Sequence, residues 1–286
     1  MSASARRAAV LGHPVAHSLS PVLHRAAYVE LGLDWRYDAI EVEAEALAGF
    51  VTGLDAGWAG LSLTMPHKQS VIPLLDHVEP LAELVGAVNT VLVQANPRGG
   101  VVLTGANTDV HGIVAALREA GQVPQAPHAV VLGAGATAAS TLAALGELGC
   151  TRPVVLARSL ARVGALRRAA HRMGLEPEVR TFDAGTAELL ATADVVVATT
   201  PAGALDTLAA GLAEVRPGAV LLDVVYDPRP TPLMTAWRAA GGLAVGGERM
   251  LLHQAGEQVR LMTGRVAPLA AMDAALQDAL GRATRV

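Results

Sequence analysis

The sequence contains few of the residues that mark several large classes of protein. Cys150 is the single cysteine, so an intrachain disulfide is impossible and a cysteine-based zinc site is disfavoured. No apolar run reaches the roughly 18 residues needed to span a bilayer, and the apolar stretch after Arg7 is too short for a signal peptide. The net charge of −4 provides no basic face for nucleic acid. These absences predict a globular, cytoplasmic protein with no nucleic-acid or membrane partner.

Lysine is almost absent as well. Lys68 is the only lysine among 22 Lys and Arg residues. A lysine ammonium can give up a proton near neutral pH, whereas an arginine guanidinium effectively cannot. Counting alone leaves two interpretations open: a residue retained for proton transfer, or a surface lysine left by a general bias toward arginine.

The arrangement of short apolar runs predicts an α/β protein. The length of 286 residues favours two domains over one. In the first hundred residues, β-like runs alternate with amphipathic stretches, which predicts a parallel sheet with helices between its strands. We expect one α/β domain over residues 1–108 and a second over 109–247, with the helices of 248–286 returning to the first.

A glycine-rich loop follows the predicted strand 128–132 and precedes a predicted helix. Its form, G-x-G-x-x-A, fits the dinucleotide fingerprint, in which the glycines permit a tight turn and a close approach of the backbone to a pyrophosphate. The phosphates would bind the N-terminal amides of the helix. The candidate cofactor contacts here are Gly133, Ala134, Gly135, Ala136 and Thr137.

The end of the next predicted strand, residues 153–157, distinguishes between cofactors. NAD-binding proteins usually place a carboxylate there for the ribose hydroxyl, whereas arginine accommodates the 2′-phosphate of NADP. Here Arg158 follows the strand directly and Arg162 lies four residues later. Two guanidinium groups can bind a phosphate bidentately. The sequence therefore predicts NADP, with a solvent-exposed helix-start arginine as the alternative.

Two serines lie between the first predicted strand and the helix that follows it. Hydroxyl groups in this position can cap the helix or, together with its free amides, bind a carboxylate. For Ser18 and Ser20 both alternatives are open. Other polar motifs occur along the chain at residues 62–68, 86–90, 107–109, 223–226 and 247–255.

In their order and spacing these motifs resemble the shikimate dehydrogenase family. The resemblance covers essentially the whole chain and rests on G-x-P-x-x-H-S-x-S-P, T-x-P-x-K, G-A-x-N-T, N-T-D, the glycine loop and M-L-x-x-Q-A. It implies the reversible NADPH-dependent reduction of 3-dehydroshikimate to shikimate, a step toward chorismate and the aromatic amino acids. It also implies an N-terminal α/β substrate-binding domain and a Rossmann-type NADP-binding domain with a cleft between them. We expect a monomer or a homodimer.

The resemblance implies a role for each matching residue. Ser18 and Ser20 would hold the substrate carboxylate, and Lys68 with Asp109 would form the catalytic pair. Hydride delivery to a ketone builds negative charge on oxygen, which needs a proton or a cation; Lys68 could supply both. Asp109 could also serve as a helix N-cap, which is compatible with that role. The ring hydroxyls would be oriented by Thr64, Asn89, Asp109, Tyr226 and Gln254, and the other cofactor contacts would be Ala157, Arg158, Ser159, Arg162, Val224 and Gly247.

Several features keep alternatives in view. The chain departs from the commonest family pattern at Ser62, Val110, Ala136 and Ala157, which bears on cofactor affinity more than on the reaction. No cluster of Cys, His or Asp has metal-ligand spacing, so we expect no metal. The alternatives are a quinate/shikimate dehydrogenase that prefers NAD, a non-catalytic ligand sensor, and a folate-linked dehydrogenase, which would not explain the serine pair.

Overall fold

The structure is a computed structural model that describes residues 5–283, divided into two compact units. Unit 1 contains the described residues up to Thr108 and from Leu252 onward, and unit 2 contains Asp109–Leu251. The strands are β1 (Arg7–Gly12), β2 (Arg36–Glu41), β3 (Trp58–Leu63), β4 (His77–Val78), β5 (Thr90–Ala95), β6 (Val101–Ala106), β7 (Ala129–Leu132), β8 (Val154–Ala157), β9 (Glu178–Thr181), β10 (Val195–Ala198), β11 (Val220–Asp223) and β12 (Leu243–Gly246). The helices are α1 (Ser20–Glu30), α2 (Leu47–Thr52), α3 (His67–Ser70), α4 (Pro80–Val85), α5 (Asp109–Ala120), α6 (Ala136–Glu147), α7 (Gly164–Arg172), α8 (Thr186–Thr192), α9 (Asp206–Ala210), α10 (Pro232–Ala239), α11 (Gly247–Thr263) and α12 (Leu269–Ala283).

Unit 1 is built on a six-stranded sheet with the order β2-β1-β3-β5-β6-β4. The expectation of a parallel sheet is wrong for this unit, because β5 is antiparallel to both β3 and β6. The chain between β5 and β6 is a short turn in which Gly99 and Gly100 have positive φ angles of 102° and 75°. A turn this short can join only antiparallel neighbours, since a parallel pair needs a long crossover. The alternation of strand-like and amphipathic runs in the first hundred residues does not predict this hairpin.

Unit 2 is a doubly wound sheet of six parallel strands with the order β12-β11-β10-β7-β8-β9. The strand order reverses between β7 and β10, and helices connect the strands. Open sheets of this kind bind ligands outside the carboxyl ends of their strands, at the reversal. The predicted α/β class, with a Rossmann-type second unit, is confirmed.

Each unit has its own apolar core. In unit 1, Leu11, Leu61 and Val91 come from neighbouring strands and are fully buried. In unit 2 the central strands are apolar on both faces, as expected of a sheet covered by helices. Trp237 of α10 is also fully buried there and donates its indole N–H to the carbonyl oxygen of Ala219 across 3.1 Å. Both sheets are therefore fixed scaffolds for the loops at their edges.

Within residues 5–283, none of the helices combines the length and apolar character needed to cross a membrane. The same part of the chain brings together no group of three or more His, Cys, Asp and Glu residues able to hold a metal ion.

Candidate active site

One edge of the unit 1 sheet gathers most of the polar motifs of that unit. The strands β1, β3 and β6 end at this edge, whereas β5, which runs the opposite way, begins there. The N–H of Leu63 donates to the carbonyl oxygen of Asn89 across 2.8 Å, and the N–H of Asn89 donates to that of Ala106 across 3.1 Å. Motifs distant in sequence therefore become neighbours because of the sheet topology.

The two serines lie together where β1 leads into α1. The N–H of Ser20 donates to Oγ of Ser18 across 3.3 Å. Leu19, the cap position of α1, makes no side-chain hydrogen bond to the helix. Ser20 is buried, and Ser18 is half-buried. Ser18 thus contacts a main-chain amide, and both hydroxyls lie at a helix N-terminus, where the helix dipole favours an anion.

Lys68 lies on the short helix α3, just after β3. Its carbonyl oxygen accepts from the N–H of Val88 across 2.7 Å, which ties α3 to the segment that precedes β5. The neighbouring His67 is fully buried, and its Nε2 lies 2.7 Å from the carbonyl oxygen of Val42. Lys68 itself is half-buried. The same edge includes Thr64, whose N–H donates to the carbonyl oxygen of Leu11 across 2.9 Å.

Asn89 and Gln254, which are distant in sequence, form a triangle of hydrogen bonds with Thr108. Nδ2 of Asn89 lies 2.9 Å from Oγ1 of Thr108 and 3.2 Å from Oε1 of Gln254. The N–H of Thr108 donates to Oδ1 of Asn89 across 2.8 Å. Because a main-chain N–H can only donate, this bond fixes which end of the Asn89 amide is oxygen. All three residues are buried.

Gln258, one helical turn after Gln254 on α11, lies beneath this triangle and is 1% exposed. Its Nε2 donates to the carbonyl oxygen of Asn89 across 3.2 Å and to Oγ1 of Thr90 across 2.9 Å. Its Oε1 accepts from Oγ of Ser62 across 2.8 Å and lies 3.1 Å from Nε2 of His24. The carbonyl partner again fixes the amide, so Nε2 of His24 carries the proton.

Two aromatic rings complete this buried network. His24 stacks on Tyr37 with ring centroids 4.0 Å apart, and the Tyr37 hydroxyl donates to Oγ of Ser62 across 2.6 Å. Burial lowers the pKa of His24 to about 4, although its hydrogen bond with Gln258 acts in the opposite direction. Burial raises the pKa of Tyr37, and hydrogen bonds with Ser62 and Ser20 oppose that rise. Both rings are therefore neutral at pH 7.

In unit 2, the glycine loop lies at the carboxyl end of β7. Gly133 has a φ of +120°, and a Cβ atom there would overlap the side chain of Thr199, which follows β10. Gly135 has open space around its Cα and precedes the first residue of α6. The cap position of α6 is Gly135, which makes no side-chain hydrogen bond, so the first amides of the helix have no acceptor from a cap side chain. This loop is suited to receive a pyrophosphate.

Beyond β8, Arg158, Ser159 and Arg162 are all exposed, whereas Ala157 is buried. Arg162 belongs to a short 3-10 helix, Leu160–Arg162. Among residues 5–283, neither arginine takes part in any of the ion pairs that the structure contains with Asp or Glu. Their guanidinium groups can therefore approach a phosphate without first breaking an ion pair.

The loop after β11 carries Val224 and Tyr226. Asp223, at the end of that strand, accepts from the hydroxyl of Thr231 across 2.7 Å and from the N–H of Val225 across 3.2 Å. Burial raises the pKa of Asp223, and these two hydrogen bonds lower it. Burial likewise raises the pKa of Tyr226. The carboxylate of Asp223 thus fixes both ends of the loop.

Asp109 is the first residue of α5, follows Thr108 directly and is 3% exposed. An acidic residue in the first turn interacts favourably with the helix dipole. A buried carboxylate at a helix start therefore agrees with both alternatives for Asp109, a cap and a functional group.

The buried network of Gln258, Thr90, Thr108, His24 and Tyr37 was missed by sequence reasoning. One signal was present: Gln254 and Gln258 are four positions apart and so share a helix face. A second polar residue on a helix face that already carries a candidate substrate-binding residue indicates that this face packs against other buried polar groups. The hydrogen bonds themselves join residues up to 234 positions apart, and no local pattern predicts them.

Two models of known protein families match this chain, one in its N-terminal part and one in its C-terminal part. A model of the shikimate dehydrogenase substrate binding domain matches residues 10–91. A model of the shikimate 5′-dehydrogenase C-terminal domain matches residues 247–277.

Full-length relatives and solved structures give the same result. The chain is 42% identical to a shikimate dehydrogenase (NADP(+)) of Citrifermentans bemidjiense, covering 94% of this chain and 93% of the relative. It is 38% identical to the shikimate dehydrogenase (NADP(+)) of Moorella thermoacetica, covering 98% of this chain and 96% of the relative. The crystal structure of a Mycobacterium fortuitum shikimate 5-dehydrogenase has a TM-score of 0.83 at 43% identity, covering 96% and 99% of the two chains. A Thermus thermophilus enzyme in complex with NADP(H) and shikimate has a TM-score of 0.80 at 35% identity, covering 96% and 99%.

Proposed function

The chain belongs to the shikimate dehydrogenase family, and on that premise we propose that it reduces 3-dehydroshikimate to shikimate, reversibly, with Lys68 and Asp109 as its catalytic pair. It is an NADP-dependent oxidoreductase acting on a CH–OH group. The observation that carries the residue-level proposal is the clustering of the serine pair, Lys68, Asn89 and Gln254 at one edge of the unit 1 sheet.

The residues of unit 1 suit a polyhydroxylated carboxylic acid. A carboxylate would be bound by Ser18, Ser20 and the amides at the start of α1, where the helix dipole favours negative charge. The amide groups of Asn89 and Gln254 can each donate and accept, which suits ring hydroxyls. Thr64, together with Tyr226 of unit 2, would add further hydroxyl contacts.

The proton chemistry falls to Lys68. Bound NADPH supplies the hydride. As the substrate ketone becomes an alcohol, Lys68 stabilises the developing negative charge and gives its oxygen a proton, and in the reverse direction it accepts that proton. Asp109 orients the ammonium group and accepts a hydrogen bond from a neighbouring substrate hydroxyl. Arginine could stabilise the charge but not transfer the proton.

Unit 2 would hold the cofactor. The uncapped start of α6 and the space beside Gly135 suit a pyrophosphate, and the exposed Arg158 and Arg162 suit the 2′-phosphate. Val224 and Gly247 would lie beside the nicotinamide. We accordingly propose unit 1 as the substrate domain and unit 2 as the NADP domain. We further propose a cytoplasmic monomer or homodimer, since a lone cysteine suits a reducing compartment.

A single spectrophotometric experiment tests the reaction. Purified protein is given shikimate or quinate with NADP⁺ or NAD⁺, and absorbance is followed at 340 nm. We expect rapid reduction of NADP⁺ by shikimate. Reduction of NAD⁺ by quinate instead would overturn the roles given to Arg158 and Ser20. Ligand binding without turnover in every combination would favour a sensor.

A further inference from the structure

Two segments of unit 2 meet in direct backbone contact at the carboxyl edge of its sheet. Val224 begins the loop after β11, and Gly247 begins α11 directly after β12. A Cβ atom on Gly247 would overlap the carbonyl group of Val224, so only glycine permits this approach. The N–H of Gly247 donates to the carbonyl oxygen of Val225 across 3.3 Å. The proposed function places Val224 and Gly247 beside the nicotinamide.

An ion pair joins the same two segments through side chains that the proposed reaction does not use. Nη1 of Arg229, in the loop after β11, lies 3.3 Å from Oε1 of Glu248, in the first turn of α11. The two partners differ in exposure: the side chain of Glu248 is 9% exposed and that of Arg229 is 35% exposed. The other carboxylate oxygen of Glu248, Oε2, is buried without a hydrogen-bond partner among the described residues.

This difference in burial makes the pair asymmetric. If Arg229 is removed, a buried carboxylate loses its cation, and burying an uncompensated charge is strongly unfavourable. The carboxylate can regain solvation only by moving outward, and the adjacent Gly247 would move with it. If Glu248 is removed, Arg229 can extend into solvent at little cost. Replacing both partners by apolar residues is often neutral.

We propose that Arg229 is a positioning residue for the nicotinamide end of the cofactor site: it neutralises the buried carboxylate of Glu248 and so keeps the adjacent Gly247 against Val224. The inference rests on the proposed function, because that function gives these two backbone positions their role. Neither side chain needs to touch the cofactor. Arg229 is required because Glu248 is present, and this dependence distinguishes the pair from direct ligands.

Isothermal titration calorimetry with NADP⁺ alone tests this proposal through four proteins: wild type, Arg229→Leu, Glu248→Leu and the double variant. Melting temperature is measured for each. Arg216→Leu is the matched control, because Arg216 pairs with the half-buried Asp194 across 2.6 Å at the amino end of β10, away from the carboxyl edge. It removes the same charge from unit 2 without touching either segment.

We expect Arg229→Leu to raise the dissociation constant of NADP⁺ roughly tenfold. Glu248→Leu should change it less than about threefold, and the double variant should behave like Glu248→Leu. Arg216→Leu should lower the melting temperature without changing NADP⁺ affinity. If Arg229→Leu fails to fold, Arg229→Lys replaces it; a smaller loss of affinity is expected, again only while Glu248 is present.

Two results would overturn the proposal. One is an Arg229 variant that is less stable but binds NADP⁺ like wild type, which would leave the pair a merely structural one. The other is a double variant as impaired as Arg229→Leu, which would mean that Arg229 binds the cofactor directly. Calorimetry needs no turnover, so the pair is tested even if the wild type does not oxidise shikimate; turnover of the wild type reports on the proposed function separately.

Discussion

The side-chain nitrogen of Asn89 donates to Oε1 of Gln254 across 3.2 Å, although 165 positions separate the two residues. Asn89 precedes β5 and Gln254 lies on α11, so the bond joins an N-terminal motif to a C-terminal one. Each amide restricts the orientation of the other before any substrate binds. We therefore expect the two residues to act as a unit in substrate recognition.

For this pair we predict non-additive losses of substrate affinity. Asn89→Ala and Gln254→Ala should each raise the KM for shikimate roughly tenfold, because each removes hydrogen bonds to a buried polar partner. The double variant should lose less than the product of the single losses. Steady-state kinetics measure these values, and Asn96→Ala, in the turn after β5, controls for the substitution itself. Strict multiplication of the two losses would show that the residues act independently.

Lys68→Ala should lower kcat roughly 100- to 10,000-fold, the usual contribution of a proton-transferring group. Shikimate binding, measured by calorimetry, should remain largely intact because the serine pair and both amides are unchanged. Gln69→Ala, at the next and exposed position of α3, is the control. A Lys68 variant with near-normal turnover would refute the role assigned to this residue.

Arg158→Ala should weaken NADPH binding roughly 10- to 100-fold, as expected for the loss of charge-assisted hydrogen bonds to a phosphate. NADH lacks that phosphate, so its affinity should change little. The comparison uses dissociation constants for both cofactors, with Arg152→Ala as control, since Arg152 is exposed and pairs with Glu176 across 3.2 Å. Equal losses for NADPH and NADH would mean that Arg158 does not recognise the phosphate.

His24 should make the stability of the chain depend on pH. Its pKa is lowered from 6.5 to about 4 in the folded chain, so a proton binds the unfolded chain more tightly. Above pH 6.5 His24 is neutral in both the folded and the unfolded chain, and its contribution to the free energy of unfolding is fully present. As the pH falls from 6.5 toward 4, the free energy of unfolding decreases by roughly 3 kcal/mol in total. Urea unfolding between pH 7.5 and 4.5 measures it.

His24→Gln cannot take up a proton, so its unfolding free energy should fall less over this range than that of the wild type. His77→Gln, which changes an exposed histidine, should retain the wild-type slope. If His24→Gln and the wild type have the same slope, other groups cause the acid sensitivity.

Local sequence signals predict those parts of the fold that are determined by residues close together in the sequence. The strand that leads into Gly133 and the helix that follows it are predicted by the pattern of about twenty consecutive residues. The parallel sheet of unit 2 follows from the recurrence of this strand–helix pattern along the chain. The alternation of strand-like and amphipathic runs does not predict the hairpin of β5 and β6, because that alternation indicates parallel strands joined by helices. The antiparallel register then determines which motifs share an edge.

The buried network could not be predicted for a different reason. The partners of Gln258 come from α1, β3 and β5, and their distances depend on how those elements pack. Sequence reasoning identified Asn89 and Gln254 through the family motif, not through their contact. The environment of His24, and hence its lowered pKa, likewise depends on tertiary packing.

The solitary lysine also makes this chain unusually selective toward covalent reagents. Apart from the α-amino group, a reagent that modifies only primary amines has one target, the half-buried side chain on α3. One equivalent of label incorporated there should abolish turnover, and bound shikimate should slow the modification. The same chemistry would place a reporter group on Lys68, in the proposed substrate site, without any mutation.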